Sequence, residues 1–136
     1  GRGKGARPGA DGPAGGLAVA VAEAALGCPY ATSSFGAELN LGGYGSAADD
    51  IALLYGEDQG RVVVSCEPAN EAGVIALAKR LGVPVFTAGV VGRADSSLLI
   101  ATAGARYEWA IGRLRETYLT AIPRRMSHVE EDRAAV

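Results

Sequence analysis

The stretch Tyr55-Gly56-Glu57-Asp58-Gln59-Gly60-Arg61-Val62-Val63-Val64-Ser65 constrains this chain more than any other. It turns through two glycines and enters the most strand-like run present. Val62, Val63 and Val64 are β-branched, stiff at χ1 and suited to a pleated surface. An unbroken apolar strand predicts burial on both faces, in the middle of a sheet covered by helices. The turn before it carries two carboxylates, an amide and a guanidinium within five residues. Gly56 and Gly60 meet the backbone needs of a turn. Glu57, Gln59 and Arg61 are not needed for that. They stand as candidate binding residues, with a solvated turn as the alternative.

The rest of the chain sets the frame. Its 136 residues fit one domain, and 49% hydrophobic content is enough for a core. A net charge of −2 without a basic face argues against a nucleic-acid partner. No apolar run reaches the roughly 18 residues needed to span a bilayer, and no signal-like segment follows the N-terminal charges. A cytoplasmic protein is expected. Cys28 and Cys66 lie 38 positions apart without metal-ligand spacing, and read as reduced, partly buried thiols. The chain opens on Gly1 and not Met, which reads as a piece of a longer protein or a processed product.

Residues 1–14, rich in Gly, Pro, Ala and basic side chains, are expected to be flexible. Lys4 lacks the Gly spacing and preceding strand of a phosphate loop. From Gly15 the pattern predicts a mostly buried helix whose only charge is Glu23, capped by Gly27. Gly15 and Gly16 let the backbone approach another group closely, and the helix start offers amides to an anion; a plain entry to a helix is the alternative. Residues 37–41 alternate as a strand. Ser46 is placed to cap a short helix at 47–54, with Asp49 and Asp50 solvated in its first turn or acting as metal ligands. A helix at 70–81 should bury the stripe Val74, Ile75, Leu77, Ala78 and Leu81. Strands at 83–91 and 97–102 should pair as a hairpin. A final helix at about 106–122 should dock Tyr107, Ile111, Leu114, Tyr118 and Ile122 and stop at Pro123. Residues 127–136 read as a polar tail with a solvated His128. Alternating helices and strands indicate a layered α/β or α+β domain, with a ferredoxin-like portion from Arg61 onward.

Four stretches resemble one family. Gly15-Gly16-Leu17-Ala18-Val19-Ala20-Val21-Ala22-Glu23 looks like the GGLAVALAE helix of formylglycinamide ribonucleotide amidotransferases (phosphoribosylformylglycinamidine synthases). Gly36-Ala37-Glu38-Leu39-Asn40-Leu41 is similar to their GAE-x-DL strand, and Tyr55 to Ser65 to their FGESQGRVLVS. Leu114-Arg115-Glu116 through Ala121-Ile122-Pro123-Arg124 resembles their closing ELREAWEGALPRLM. The resemblance runs over residues 15–126 in order. Thiamine monophosphate kinases share the fold and the start Gly56-Glu57-Asp58. They continue Tyr-Glu-Leu where this chain has Gln59-Gly60-Arg61.

The resemblance implies an α+β fold, a three-layer α/β/α domain of the aminoimidazole ribonucleotide synthetase C-terminal type with partly ferredoxin-like topology. It also implies a role in an ATP-dependent ligase of purine synthesis that takes glutamine-derived ammonia, with ATP and Mg2+ as cofactors. The implied partners are a preceding ATP-binding domain, a glutaminase domain or subunit, and a small-molecule nucleotide substrate. Gly15, Gly16, Glu57, Gln59 and Arg61 are the expected substrate or nucleotide contacts. The family writes His-Asp-Val-Ser-Asp-Gly-Gly-Leu before the first helix. Here only Asp11 and Gly15-Gly16-Leu17 match it, so Asp11 is the expected metal contact. A non-catalytic module on the same fold is the alternative reading.

Overall fold

Gly36 sets the order of the sheet, because a chain crossing passes directly over it. In the computed structural model, which describes residues 10–11, 15–27, 34–44, 49–57, 60–94 and 96–134, strand β2 (Phe35–Asn40) lies between β4 (Gly89–Ala94) and β5 (Ser97–Ala101). A Cβ on Gly36 would collide with Ser96 Oγ and the Ser97 carbonyl, so only glycine leaves room for the β4–β5 connection. The four-stranded sheet runs β4-β2-β5-β6, with β6 at Arg106–Ala110. β2 is antiparallel to β4 and parallel to β5, while β5 and β6 are antiparallel. The expected hairpin of β4 with β5 is therefore corrected. Sequence neighbours pair only when no other strand competes, and here β2 takes both.

Helix α1 (Gly16–Leu26) buries Leu17, Ala18, Ala20, Val21, Ala25 and Leu26, as its nearly all-apolar sequence requires. It packs on β2, on α2 (Asp50–Tyr55) and on α4 (Ile111–Ala134). Leu39, Leu41, Leu54, Leu98, Ile100 and Ile111 complete one core. Each such side chain contributes about 1.5–3 kcal/mol on leaving water. The α1 C-terminus closes through the Gly27 amide on Glu23 O at 3.1 Å. Arg115 Nη1 and Ser34 Oγ both donate to Leu26 O, at 3.1 and 3.3 Å, tying α4 to the end of α1.

The central valines depart furthest from expectation. Strand β3 is only Val62–Val63 and pairs with β1 (Ala10–Asp11) in a separate two-stranded ribbon. Val62 is 57% exposed and Val64 54%, while Val63 packs on the core. A ribbon has one inner side, so alternate valines face water. The composition of the run cannot reveal how many neighbours it will have. Ala10 and Asp11 also show extended pairing inside the stretch expected to be flexible, the rest of which lies outside the described residues.

Helix α3 (Glu71–Arg80), after a 3-10 turn at Pro68–Asn70, buries no residue, so its apolar stripe does not join this core. Residues 83–88 form no strand. Residues 106–110 are strand and not helix. Tyr107, Trp109 and Ile111 fit a period of two as well as four, and Tyr and Trp favour strands. Helix α4 continues through Pro123 to Ala134, so Pro123 does not end it. Proline costs one backbone bond there, and the turns on either side keep theirs. Cys66 is free and exposed, not half-buried; Cys28 lies outside the described residues.

Candidate functional site

The start of α1 rests on the end of α2. Gly16 adopts φ 76°, and a Cβ there would stand 2.5 Å from the Tyr55 carbonyl carbon and 2.8 Å from Leu54 O. Backbone meets backbone at this crossing, which only glycine permits. The chain leaves α2 at Gly56, whose amide closes on Ala52 O at 2.9 Å. The next residue is Glu57, and its Oε1 accepts from the Gly15 amide at 2.8 Å. A carboxylate at a helix N-terminus meets both the unpaired amides and the positive end of the dipole. The protein's own carboxylate thus takes an amide that the sequence offers to an incoming anion.

Arg61 fastens the other side of the same turn. Its Nη1 donates to Leu53 O in the last turn of α2 at 3.1 Å. Its guanidinium carbon lies 5.8 Å from the centre of the Tyr44 ring. Tyr44 in turn stacks on Phe86 at 4.7 Å and 18°. Asp11 sits in β1 opposite Val62, one residue from Arg61. The fold therefore draws Gly15, Gly16, Glu57, Arg61 and the backbone of Asp11 to one place from distant parts of the sequence. Gln59 lies outside the described residues.

A second polar cluster escaped the sequence reading. Asp50 is not a solvated first-turn acid: its Oδ2 accepts from Thr102 Oγ1 at 2.8 Å and from Tyr107 OH at 3.0 Å. Its Oδ1 is buried without a hydrogen-bond partner. The hydrogen bond to Asp50 raises the Tyr107 pKa above its ordinary value, with burial and the Asp50 charge adding to it. Thr102 Oγ1 also accepts from the Ala105 amide at 2.9 Å, holding the turn into β6. The cap of α2 is Asp49, whose Oδ1 accepts from Ala52 N at 2.9 Å. It replaces Ser46, which lies outside the described residues. A Thr and a Tyr more than 50 positions from Asp50 leave no local trace in sequence.

Among the described residues no group of three or more His, Cys, Asp or Glu side chains converges on a metal position. No helix among them is long and apolar enough to cross a membrane.

Comparisons with known proteins bear on the same stretch. Residues 6–101 match the family described as AIR synthase related protein, C-terminal domain. The chain is 34% identical over 109 residues to the phosphoribosylformylglycinamidine synthase subunit PurL of Thermobifida fusca. The match takes in 80% of this chain and 13% of that protein. It is 37% identical over 106 residues to the protein of the same name from Methylocella silvestris, covering 69% of this chain and 12% of that one. The Synechocystis protein of that name is 34% identical over 114 residues, covering 82% and 14%. The chain thus spans about an eighth of the length of these relatives. No solved structure matches it.

Proposed function

Because the chain belongs to the AIR synthase related C-terminal domain family, we propose that it acts as one wall of the active site of an ATP-dependent ligase. That ligase is a phosphoribosylformylglycinamidine synthase, which converts formylglycinamide ribonucleotide to formylglycinamidine ribonucleotide with glutamine-derived ammonia. The observation that carries this reading is the meeting of Gly15-Gly16 with Glu57 and Arg61. Two of the stretches that carry the family resemblance converge in space, although 42 positions separate Gly15 from Glu57.

In that setting ATP supplies the phosphoryl group that activates the substrate's formamide oxygen. This chain's part is positional. Gly15 and Gly16 bring the α1 amides to the site edge, and Glu57 fixes the turn against them. Arg61 holds the α2 terminus and keeps a cation beside it. Asp11 is the candidate contact from this chain for the Mg2+ of the ATP complex. The proposed partners are the preceding ATP-binding domain and a glutaminase domain or subunit, in the cytoplasm.

The test is a chimera in which this chain replaces the matching segment of the Thermobifida fusca relative. Turnover within about tenfold of the parent supports the reading; a folded chimera without ATP-dependent phosphate release overturns it. The 136-residue chain alone is expected to release no phosphate. Activity of the isolated chain would show that it needs no partner domain.

A further inference from the structure

Helix α2 is too short to hold its own position. Its six residues run about 9 Å end to end, well below the length at which a helix stands alone in water. Packing holds it lightly. Leu54 is its one buried residue and Leu53 is partly buried, while Ile51 is 75% and Tyr55 49% exposed. Yet its far end carries three contacts of the candidate site. Leu53 O accepts from Arg61, the Leu54 and Tyr55 backbone meets Gly16, and Gly56 leads to the Glu57 carboxylate on the Gly15 amide. At the near end, Asp50 Oδ2 accepts from Thr102 Oγ1 in the β5–β6 connection and from Tyr107 OH in β6. Local helix chemistry does not account for Asp50, because Asp49 already caps α2. Burying Asp50 Oδ1 without a partner is a further cost that a solvated helix start would not carry.

We propose that Asp50 is a positioning residue for the turn that carries Glu57 and Arg61. Through Thr102 and Tyr107 it fixes α2 to the end of the four-stranded sheet. It thereby sets where Glu57 and Leu53 O stand relative to Gly15 and Arg61. The functional meaning of this link rests on the reading of that turn as an active-site edge; the geometric link does not. A short helix gripped at both ends moves as one body, so releasing one grip disturbs the other. The bonds at its two ends are therefore coupled, although Asp50 and Glu57 bond to different partners.

The Gly15 amide reports this link without any assay of turnover. In amide NMR spectra of the 136-residue chain, Glu57→Ala gives the position of the Gly15 resonance with its bond gone. Asp50→Ala and the milder Tyr107→Phe should each move that resonance towards the same position, Asp50→Ala further. Thr87→Val removes a bond to Glu71 outside α2 and should leave it in place. A Gly15 resonance unmoved in folded Asp50→Ala or in Tyr107→Phe overturns the proposal. So does one that moves as far in Thr87→Val. In the Thermobifida fusca chimera, Tyr107→Phe should lower turnover at saturating substrate by about threefold or more. Full turnover with a displaced Gly15 resonance would support the link and overturn the site reading instead.

Discussion

The amide of Gly15 donates to Glu57 Oε1 at 2.8 Å, joining the first residue before α1 to the turn that follows α2. One bond therefore joins two of the stretches that carry the family resemblance. Its strength comes from a charged acceptor at the positive end of a helix.

Replacing Glu57 by Ala is expected to lower stability by about 0.5–1 kcal/mol, the usual worth of an exposed helix-start acceptor. Glu57→Gln keeps an oxygen acceptor and should recover part of the loss. Thermal midpoints of the two variants decide it. Equal midpoints for Glu57→Ala and the parent would remove the bond from the account.

Gly16→Ala should be far more damaging than a glycine change elsewhere. The new Cβ meets Tyr55 and Leu54 backbone atoms that cannot move aside, at a left-handed φ, and the cost is expected at about 2–4 kcal/mol. Gly60→Ala is the control. It also has positive φ, but no atom stands within 4 Å, so about 1 kcal/mol is expected from backbone strain alone. Denaturant midpoints of both variants give the comparison, and similar losses would refute the close crossing.

Tyr107 predicts a pH dependence. Its pKa is raised in the folded state, chiefly by its hydrogen bond to Asp50. A group with a raised folded pKa contributes stability that is complete below the unfolded pKa, near 10 for tyrosine. That contribution is lost as pH rises through the folded value, because the tyrosinate cannot donate and faces the Asp50 carboxylate. Stability should therefore fall above about pH 10, and Asp50→Asn should lower the Tyr107 pKa. Ultraviolet titration of tyrosinate in the two proteins measures it. An unchanged titration in Asp50→Asn would rule out the hydrogen bond as the cause.

Arg61→Ala should cost about 1–2 kcal/mol through the lost bond to Leu53 O and the lost contact with the Tyr44 ring. Arg61→Lys should restore charge but not the planar fork. In the chimera with the Thermobifida fusca relative, a fall in turnover beyond what the thermal midpoint explains would mark Arg61 as a substrate contact. A fall that tracks stability would leave it as a clamp on α2.

Helix α1 and strand β2 were legible because each depends on local chemistry. A nearly all-apolar eleven-residue run, with Glu23 its one charge and Gly27 just after it, reads as a buried helix. The period-two pattern around Leu39 can only be a strand with one buried side. Gly15, Gly16, Glu57 and Arg61 were nameable from their types and from resemblance. The contacts they make, Glu57 on a helix amide and Arg61 on a helix carbonyl, were not.

What sequence alone determined is therefore which segments are apolar, where the backbone must be glycine, and which polar residues crowd one turn. Only the tertiary structure decided the partners. It left Val62 and Val64 in water, because β3 meets a single short strand. It inserted β2 between β4 and β5, because Gly36 lets the connection cross. It turned 106–110 into a strand, because β5 offered an edge. It gave Asp50 a Thr and a Tyr from the far end of the chain. Local propensity is set within a few residues, but neighbours across a sheet or a helix crossing depend on how the whole chain closes, and no window of sequence contains that information.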